Sequence, residues 1–377
     1  MIHHMKPENG KRKMKSDYRK IHTHLDRKNF KRKWYNLRPI LGCANWAIFY
    51  ILLGGREAGK SYSVTNFLVD QYKHKGIPFV WIRLTENQTR KLLQNNAEKL
   101  VDPDLRRKYC LDLVTSGNNV YEVTRRSKPD KEGKTKIVEK KLMARVFALS
   151  TFYSDKGSIF DKDFLNDLNM RYNIAIDEFE REKGEKNTFD ILYSLVNQLE
   201  NLIRSTKERM KIFFMGNTLE EASDILCGFN FIPESFGIFK LKKKRCVIQN
   251  IEPSEEYKKR RKGTVADILM PDASTFTNKI DTDHSLINKS PLITPSYVIK
   301  FTKNKGDWFT VWNSNIVAKY NGEKKTVIAM RPYLDEVFSP DIQKNMITLF
   351  DTRSFQFRNL ITFKQFQSCM EQLKPRK

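Results

Sequence analysis

Residues 46–73 read WAIFYILLGGREAGKSYSVTNFLVDQYK, and this stretch decides the fold. Trp46 to Leu53 is a short continuous apolar run of the kind a fully buried parallel strand requires. It stops at Gly54-Gly55, and Lys60 to about Lys73 reads as a helix. Between the two, Gly54-Gly55-Arg56-Glu57-Ala58-Gly59-Lys60-Ser61 fits GxxxxGK[ST], the P-loop pattern. Each fixed position has a task. Glycines let backbone N–H groups face phosphates, and the following helix points its positive end at them. Lys60 would neutralise the β- and γ-phosphates of ATP, and Ser61 would ligate Mg²⁺, so the expected nucleotide cradle runs from Gly54 to Tyr62.

Working outward, Pro78–Leu84 (PFVWIRL) is a second buried strand and residues 86–100 read as a helix. Leu111–Ser127 and Lys136–Ser150 alternate like strands around the charged turn SKPDKEGKTK. Tyr172–Ile176 is a third apolar strand that ends at Asp177-Glu178. Phe189, Leu192, Val196, Leu199 and Ile203 give residues 188–207 an amphipathic helical spacing. Met210–Met215 is a fourth strand, closed by Gly216-Asn217. Strands alternating with helices predict a three-layer α/β domain with a mostly parallel sheet, over residues 41–235.

That sheet would bring further chemistry to the same edge. A carboxylate at the tip of a buried strand, Asp177, can hold the magnesium shell, and Glu178 beside it can act as base toward the attacking water. This is the P-loop class with an added catalytic glutamate (ASCE). Asn217 is placed to sense the γ-phosphate or orient the water, as against capping a turn. Arg204 and Arg209 lie between the helix and the fourth strand. An arginine there either supplies transition-state charge in trans to a neighbour's ATP or stabilises a solvated helix end.

The charge points to polyanions: +25 over 377 residues, with pI about 9.7. Residues 1–40 hold 13 Lys or Arg against three acids and are expected as a basic arm, with Trp34 and Tyr35 free to stack or to dock on the body. A second concentration runs through Lys240, Lys242, Lys243, Lys244 and Arg245, then Lys258, Lys259, Arg260, Arg261 and Lys262. Two dense runs favour a nucleic-acid partner over a merely solvated surface. No apolar stretch approaches the roughly 20 residues needed to span a bilayer, and the N-terminus lacks the apolar run of a secretory signal. Cys43, Cys110, Cys227, Cys246 and Cys369 are far apart and without CxxC spacing, so they read as reduced thiols, with neither a disulfide framework nor a zinc site.

Residues 236–290 are expected as a basic linker region. Residues 291–377 read as a smaller α+β domain, with strand-like runs YVIKFT, WFTVWNS and TVIAMR and helices around Ile342–Phe350 and Phe363–Leu373. Asp307, Asp335, Glu336 and Asp341 are scattered and make no convincing metal trio.

GGREAGKSYS, IRLTE, AIDEFEREK and FFMGNT together resemble the DNA-packaging (encapsidation) ATPases of small, protein-primed, short-tailed bacteriophages. The most specific piece is Asp177-Glu178-Phe179 followed by Arg181-Glu182-Lys183. The likeness covers about residues 48–220 well and continues more loosely beyond. It implies an ATP-driven motor that moves double-stranded DNA into a preformed procapsid from the host cytoplasm, docked transiently at the portal protein. It also implies a homo-oligomeric ring, a pentamer by resemblance, leaves an RNA scaffold open, and involves no membrane. Within it Lys60 and Ser61 serve phosphate and Mg²⁺, Asp177 serves Mg²⁺, Glu178 is the base, Asn217 the sensor and Arg204 the trans arginine. The second domain would be RNase H-like without a working nuclease site. Where the family carries further basic residues after the second strand, this chain reads Leu84-Thr85-Glu86. The competing readings are another ASCE translocase or helicase on the same sheet, a nuclease-active terminase, and a nucleic-acid-binding protein with a vestigial P-loop.

Overall fold

The computed structural model describes residues 18–21, 34–130, 135–151, 172–179, 191–203, 210–217, 223–233, 235–270, 286–301, 307–319, 333–335 and 340–373. The first part of the chain runs β1 (Tyr18–Ile21), α1 (Arg38–Cys43), β2 (Phe49–Leu53), α2 (Lys60–Lys75), β3 (Phe79–Arg83), α3 (Glu86–Ala97) and α4 (Pro103–Tyr109). It continues through β4 (Leu113–Ser116), β5 (Asn119–Arg126), β6 (Ile137–Ala148), β7 (Asn173–Asp177), α5 (Ile191–Ile203), β8 (Ile212–Gly216) and α6 (Asp224–Gly228). Then come β9 (Gly237–Leu241), β10 (Cys246–Asn250), α7 (Glu255–Arg261) and α8 (Val265–Leu269). These strands form one ten-stranded sheet in the order β1-β9-β10-β2-β8-β7-β3-β6-β5-β4. Its middle, from β10 to β6, is parallel, and antiparallel pairs flank it on both sides.

Alternation along the buried strands builds two cores, one per face, because successive side chains point to opposite sides of a pleated strand. Tyr50 and Leu52 of β2, with Phe213 and Met215 of β8, join Val64, Leu68 and Val69 of α2. Ile51 and Leu53, with Ile212 and Phe214, join Ile191, Leu195 and Leu199 of α5. A sheet between two helical layers is the three-layer α/β arrangement that the sequence predicts. The strand β8 lies between β2 and β7, so the strand carrying Gly54–Ser61 and the strand carrying Asp177 are separated by one strand.

Register then sets the site. Leu53 pairs with both Gly216 and Asn250, Asp177 pairs with Met215, and Ile176 pairs with Ile82. The carboxyl ends of β10, β2, β8, β7 and β3 therefore finish within about a residue of one another. That edge is where ligands bind in open parallel sheets, since backbone and side chains from several strands converge there.

One difference from the sequence reading stands out. Residues 237–250, expected in the basic linker region, are β9 and β10 of the main sheet, and β10 pairs with β2 along its whole length. Their basic flanks hide a buried strand: Cys246, Val247 and Ile248 are fully buried. The expected basic arm also ends inside the body, where Tyr35, Leu37 and Ile40 are core residues. No helix among the described residues is long and apolar enough to cross a membrane.

The second sheet has the order β14-β11-β12-β13-β15, from β11 (Pro295–Phe301), β12 (Asp307–Trp312), β13 (Ile316–Lys319), β14 (Tyr333–Asp335) and β15 (Gln356–Phe357). With α9 (Pro340–Asp351) and α10 (Leu360–Leu373) it closes over Phe301, Phe309, Phe357, Phe366, Met346 and Met370. The α+β character and both helices agree with the expectation. The strand IVAK of β13 was not anticipated, and the run TVIAMR lies outside the described residues. So do Glu336 and the side chains of Asp307, Asp335 and Asp341.

The register makes a direct prediction. Ile248 of β10 is fully buried in the α5-facing core. Ile248→Ala should cost about 2–5 kcal/mol, the range for deleting such a side chain, read as a lower urea midpoint for the domain built on the ten-stranded sheet. An unchanged midpoint would mean that this segment does not belong to the domain.

Candidate functional site

Between β2 and α2 the chain turns through Gly54 to Gly59 with two left-handed residues, Glu57 at φ 60° and Gly59 at φ 93°. Gly59 is required by its φ, and it lies against the Trp34 ring, 3.4 Å from where a Cβ would stand. The loop is tied to the sheet edge by the Gly54 N–H, which donates to the Gly216 carbonyl at 3.2 Å. Helix α2 starts with no side-chain cap and no acid in its first turn. Its first N–H groups and its dipole are thus directed at the loop, as anion binding requires.

Lys60 is buried at 7% exposure, and its ammonium donates to Gly54 O at 2.7 Å, Gly55 O at 2.9 Å and Asn217 Oδ1 at 3.2 Å. Sequence residues 157 apart thereby meet, as Asn217 follows β8 and Lys60 opens α2. The Ser61 hydroxyl donates to Asp177 Oδ1 at 3.1 Å. Tyr62 is exposed at 44%. Lys60, Ser61, Asp177, Glu178 and Asn217, expected to share a sheet edge, do share it.

The carboxylates differ in environment. Asp177 is 4% exposed, whereas the Glu178 side chain is 47% exposed. Burial pushes the Asp177 carboxyl above the usual carboxylate range, against the pull of Arg83 and with added repulsion from Glu178. Ser61 and Lys60 also favour its charged form. A hydroxyl and a desolvated carboxylate in contact are hard oxygen donors, so the pair fits a magnesium ion. Glu178 sits at φ 52°, uncommon for a residue with a side chain and typical of sites where strain is kept for function. Phe179 beneath it is 1% exposed and packs on Gly216, where an added Cβ would lie 2.7 Å from the ring.

The sequence reading missed Arg83. This last residue of β3 pairs with Asp177 Oδ2 at 2.6 Å through Nη2 and with Glu178 Oε2 through Nη1. Its place directly before Leu84, at the end of a buried strand next to β7, was the available signal. Leu84-Thr85-Glu86 instead starts α3, with Gln88 Oε1 accepting from the Thr85 N–H at 3.2 Å and Glu86 pairing with Arg90 at 3.0 Å. Arg204, Arg209 and the run Arg181-Glu182-Lys183 lie outside the described residues.

Two segments fasten the loop from above. The Tyr35 N–H donates to Ala58 O at 3.0 Å, and the Tyr35 hydroxyl reaches Gln249 Oε1 of β10 at 2.8 Å. From the other side the Tyr257 hydroxyl of α7 donates to Arg56 O at 2.7 Å, and Arg261 pairs with Glu57 at 3.2 Å. Arg56 and Glu57 are thus bound into the frame of the loop, a role that the pattern GxxxxGK[ST] does not reveal.

Comparison of the sequence with family models and with curated proteins gives no match. Solved structures do match. The bacteriophage phi29 viral genome packaging motor assembly aligns with TM-score 0.57 and 17% identity over 91% of this chain and 100% of that one. The phi28 gp11 DNA packaging motor aligns with TM-score 0.56 and 14% identity, covering 92% of this chain and 99% of its own. The chain therefore has the fold of phage genome-packaging ATPases along nearly its whole length.

Proposed function

We propose that this protein is the ATPase subunit of a viral genome-packaging motor, coupling ATP hydrolysis to translocation of double-stranded DNA into a procapsid. The observation that carries the proposal is the convergence of Lys60, Ser61, Asp177 and Glu178 at one level edge of a sheet that has the packaging-ATPase fold. A vestigial P-loop protein would have no reason to keep all four groups in mutual reach.

The geometry suggests how hydrolysis proceeds. The Lys60 ammonium donates to two loop carbonyls and to Asn217. Phosphate oxygens are better acceptors for an ammonium than carbonyls are, so ATP draws Lys60 onto the β- and γ-phosphates and leaves Asn217 facing the γ-phosphate. Ser61 and Asp177 would hold a magnesium ion, which when bound neutralises charge on the phosphates. Glu178 accepts the proton of the attacking water only when its carboxylate is turned away from Arg83, whose guanidinium otherwise occupies the carboxylate oxygen. The water oxygen forms a bond to the γ-phosphorus while the bond to the β–γ bridging oxygen breaks, giving ADP and phosphate. Arg204 is assigned to the neighbouring subunit's site, where its charge offsets that of the transition state.

The reading includes a homo-oligomeric ring, docking to the portal protein and action at the portal vertex in the host cytoplasm. Duplex DNA would be held through its phosphates, in keeping with the charge of +25.

Three outcomes test it. ATP turnover by the full chain should rise with duplex DNA, and Glu178→Gln should lower it by about 10²–10⁴-fold while ATP binding persists. Turnover that ignores the substitution would remove Glu178 from the chemistry. Gly216→Ala should push on Phe179 and move Glu178, lowering kcat with little change in ATP affinity. Equal effects on both would point to a general loss of structure. Adding Arg204→Ala subunits to wild type should depress turnover more than in proportion to their fraction; a strictly proportional fall would contradict action in trans.

A further inference from the structure

Helix α7 has two chemically distinct sides. Tyr257, Arg260 and Arg261 stand at i, i+3 and i+4 and so share one side. That side lies on the nucleotide loop, through the bonds from Tyr257 to Arg56 and from Arg261 to Glu57. The Arg260 guanidinium lies 3.9 Å from the centre of the Trp34 ring, and Trp34 in turn abuts Gly59. Tyr257 is 4% exposed, and its N–H is capped by the Ser254 hydroxyl at 3.1 Å, so the helix is seated firmly. The other side carries Lys258, Lys259 and Lys262, all exposed. Lys258 shares an exposed pair with Glu255 at 3.0 Å, a contact worth little in water and readily exchanged for a phosphate.

The remaining basic run is placed differently. Lys242–Lys244 form a short 3-10 turn before β10, whereas α7 follows that strand. Strand β10, five residues of extended chain about 16 Å long, lies between the two runs. At the far end Lys240 is committed to the Cys43 carbonyl at 2.7 Å and Lys244 reaches Gly228 O at 3.5 Å. Of these two runs, the one on α7 sits against the loop that would hold ATP.

We propose that α7 is the clamp that links DNA grip to the nucleotide: Lys258, Lys259 and Lys262 take backbone phosphates of duplex DNA, while Tyr257 and Arg261 carry the contact to Arg56 and Glu57. Three cations at i, i+1 and i+4 make a compact positive strip suited to a phosphodiester chain and indifferent to base sequence. Glu57 sits in the left-handed region, so the ion pair that holds it bears on the shape of the loop. The inference rests on the packaging-motor reading and adds to it where the duplex is held and which bond reports the grip.

The test uses the full chain, a short duplex of arbitrary sequence, a salt series for affinity, and ATP turnover with and without duplex. Lys258→Ala/Lys259→Ala/Lys262→Ala should weaken binding and reduce the slope of log affinity against log salt by about 2–3, at roughly 0.9 per phosphate contact. Lys242→Ala/Lys243→Ala/Lys244→Ala removes the same charge at the far end of β10 and should leave the slope near that of wild type. Tyr257→Phe keeps the buried ring, so it should bind duplex with the wild-type slope yet lose about fivefold or more of the DNA stimulation of turnover. An unchanged slope in the α7 triple variant, equal losses in the two triple variants, or full stimulation of Tyr257→Phe would each overturn the proposal. A wild-type chain that neither binds duplex nor responds to it would overturn the packaging reading itself, and the clamp with it.

Discussion

The buried carboxylate of Asp177 is the constraint on which the site depends. Placing it at the end of β7, at 4% exposure, costs free energy unless partners surround it. Arg83 arrives from β3 and the Ser61 hydroxyl from α2, and both reach it only because the parallel strands end level. Removing one partner of such a pair typically costs about 3–5 kcal/mol, far more than an exposed ion pair contributes. That figure is the penalty for leaving the buried carboxylate uncompensated; the register itself is held by the two apolar cores on the faces of the sheet. Each of these groups has an internal partner: loop carbonyls for Lys60, Arg83 for Glu178, and Ser61 with Arg83 for Asp177. On the proposed function, ATP binding would be an exchange of partners rather than the filling of an unprepared cleft.

Much of this was legible in the sequence because the signals are local. The apolar run of β2, the glycines of the loop and the helical spacing of α2 lie within 30 consecutive residues. Asp177-Glu178 and Gly216-Asn217 each end an unmistakable apolar strand. What escaped depends on partners distant in the chain. Arg83 reads as an ordinary arginine until β7 is set beside β3, 95 residues on to Glu178. Cys246 to Asn250 has the brevity of a buried strand, but the lysines before it and the basic helix after it drew the reading toward a linker. The strand β13 was missed because IVAK is only four residues long and is flanked by turn-forming asparagines, serine and glycine.

The fold also redistributes the charge that composition reports as one number. The sequence shows one basic stretch from 240 to 262, yet β10 separates it into a run at the amino end of the strand and a run at the carboxyl end, beside the loop. The Trp34-Tyr35 pair behaves in the same way. Of the two roles open to it, stacking or docking on the body, the structure shows docking, with contacts to Ala58, Gln249 and the α7 arginine. The nucleotide loop is consequently bracketed by segments that precede and follow it in the chain. Changes in the loop can reach both.

The most direct test of the account is an experimental structure of the full chain with magnesium and a non-hydrolysable ATP analogue. The account predicts that the Lys60 ammonium leaves the Gly54 and Gly55 carbonyls for phosphate oxygens, that Ser61 and Asp177 face the metal, and that Glu178 has parted from Arg83. A nucleotide bound elsewhere, or Lys60 still on the loop carbonyls with the analogue in place, would contradict it.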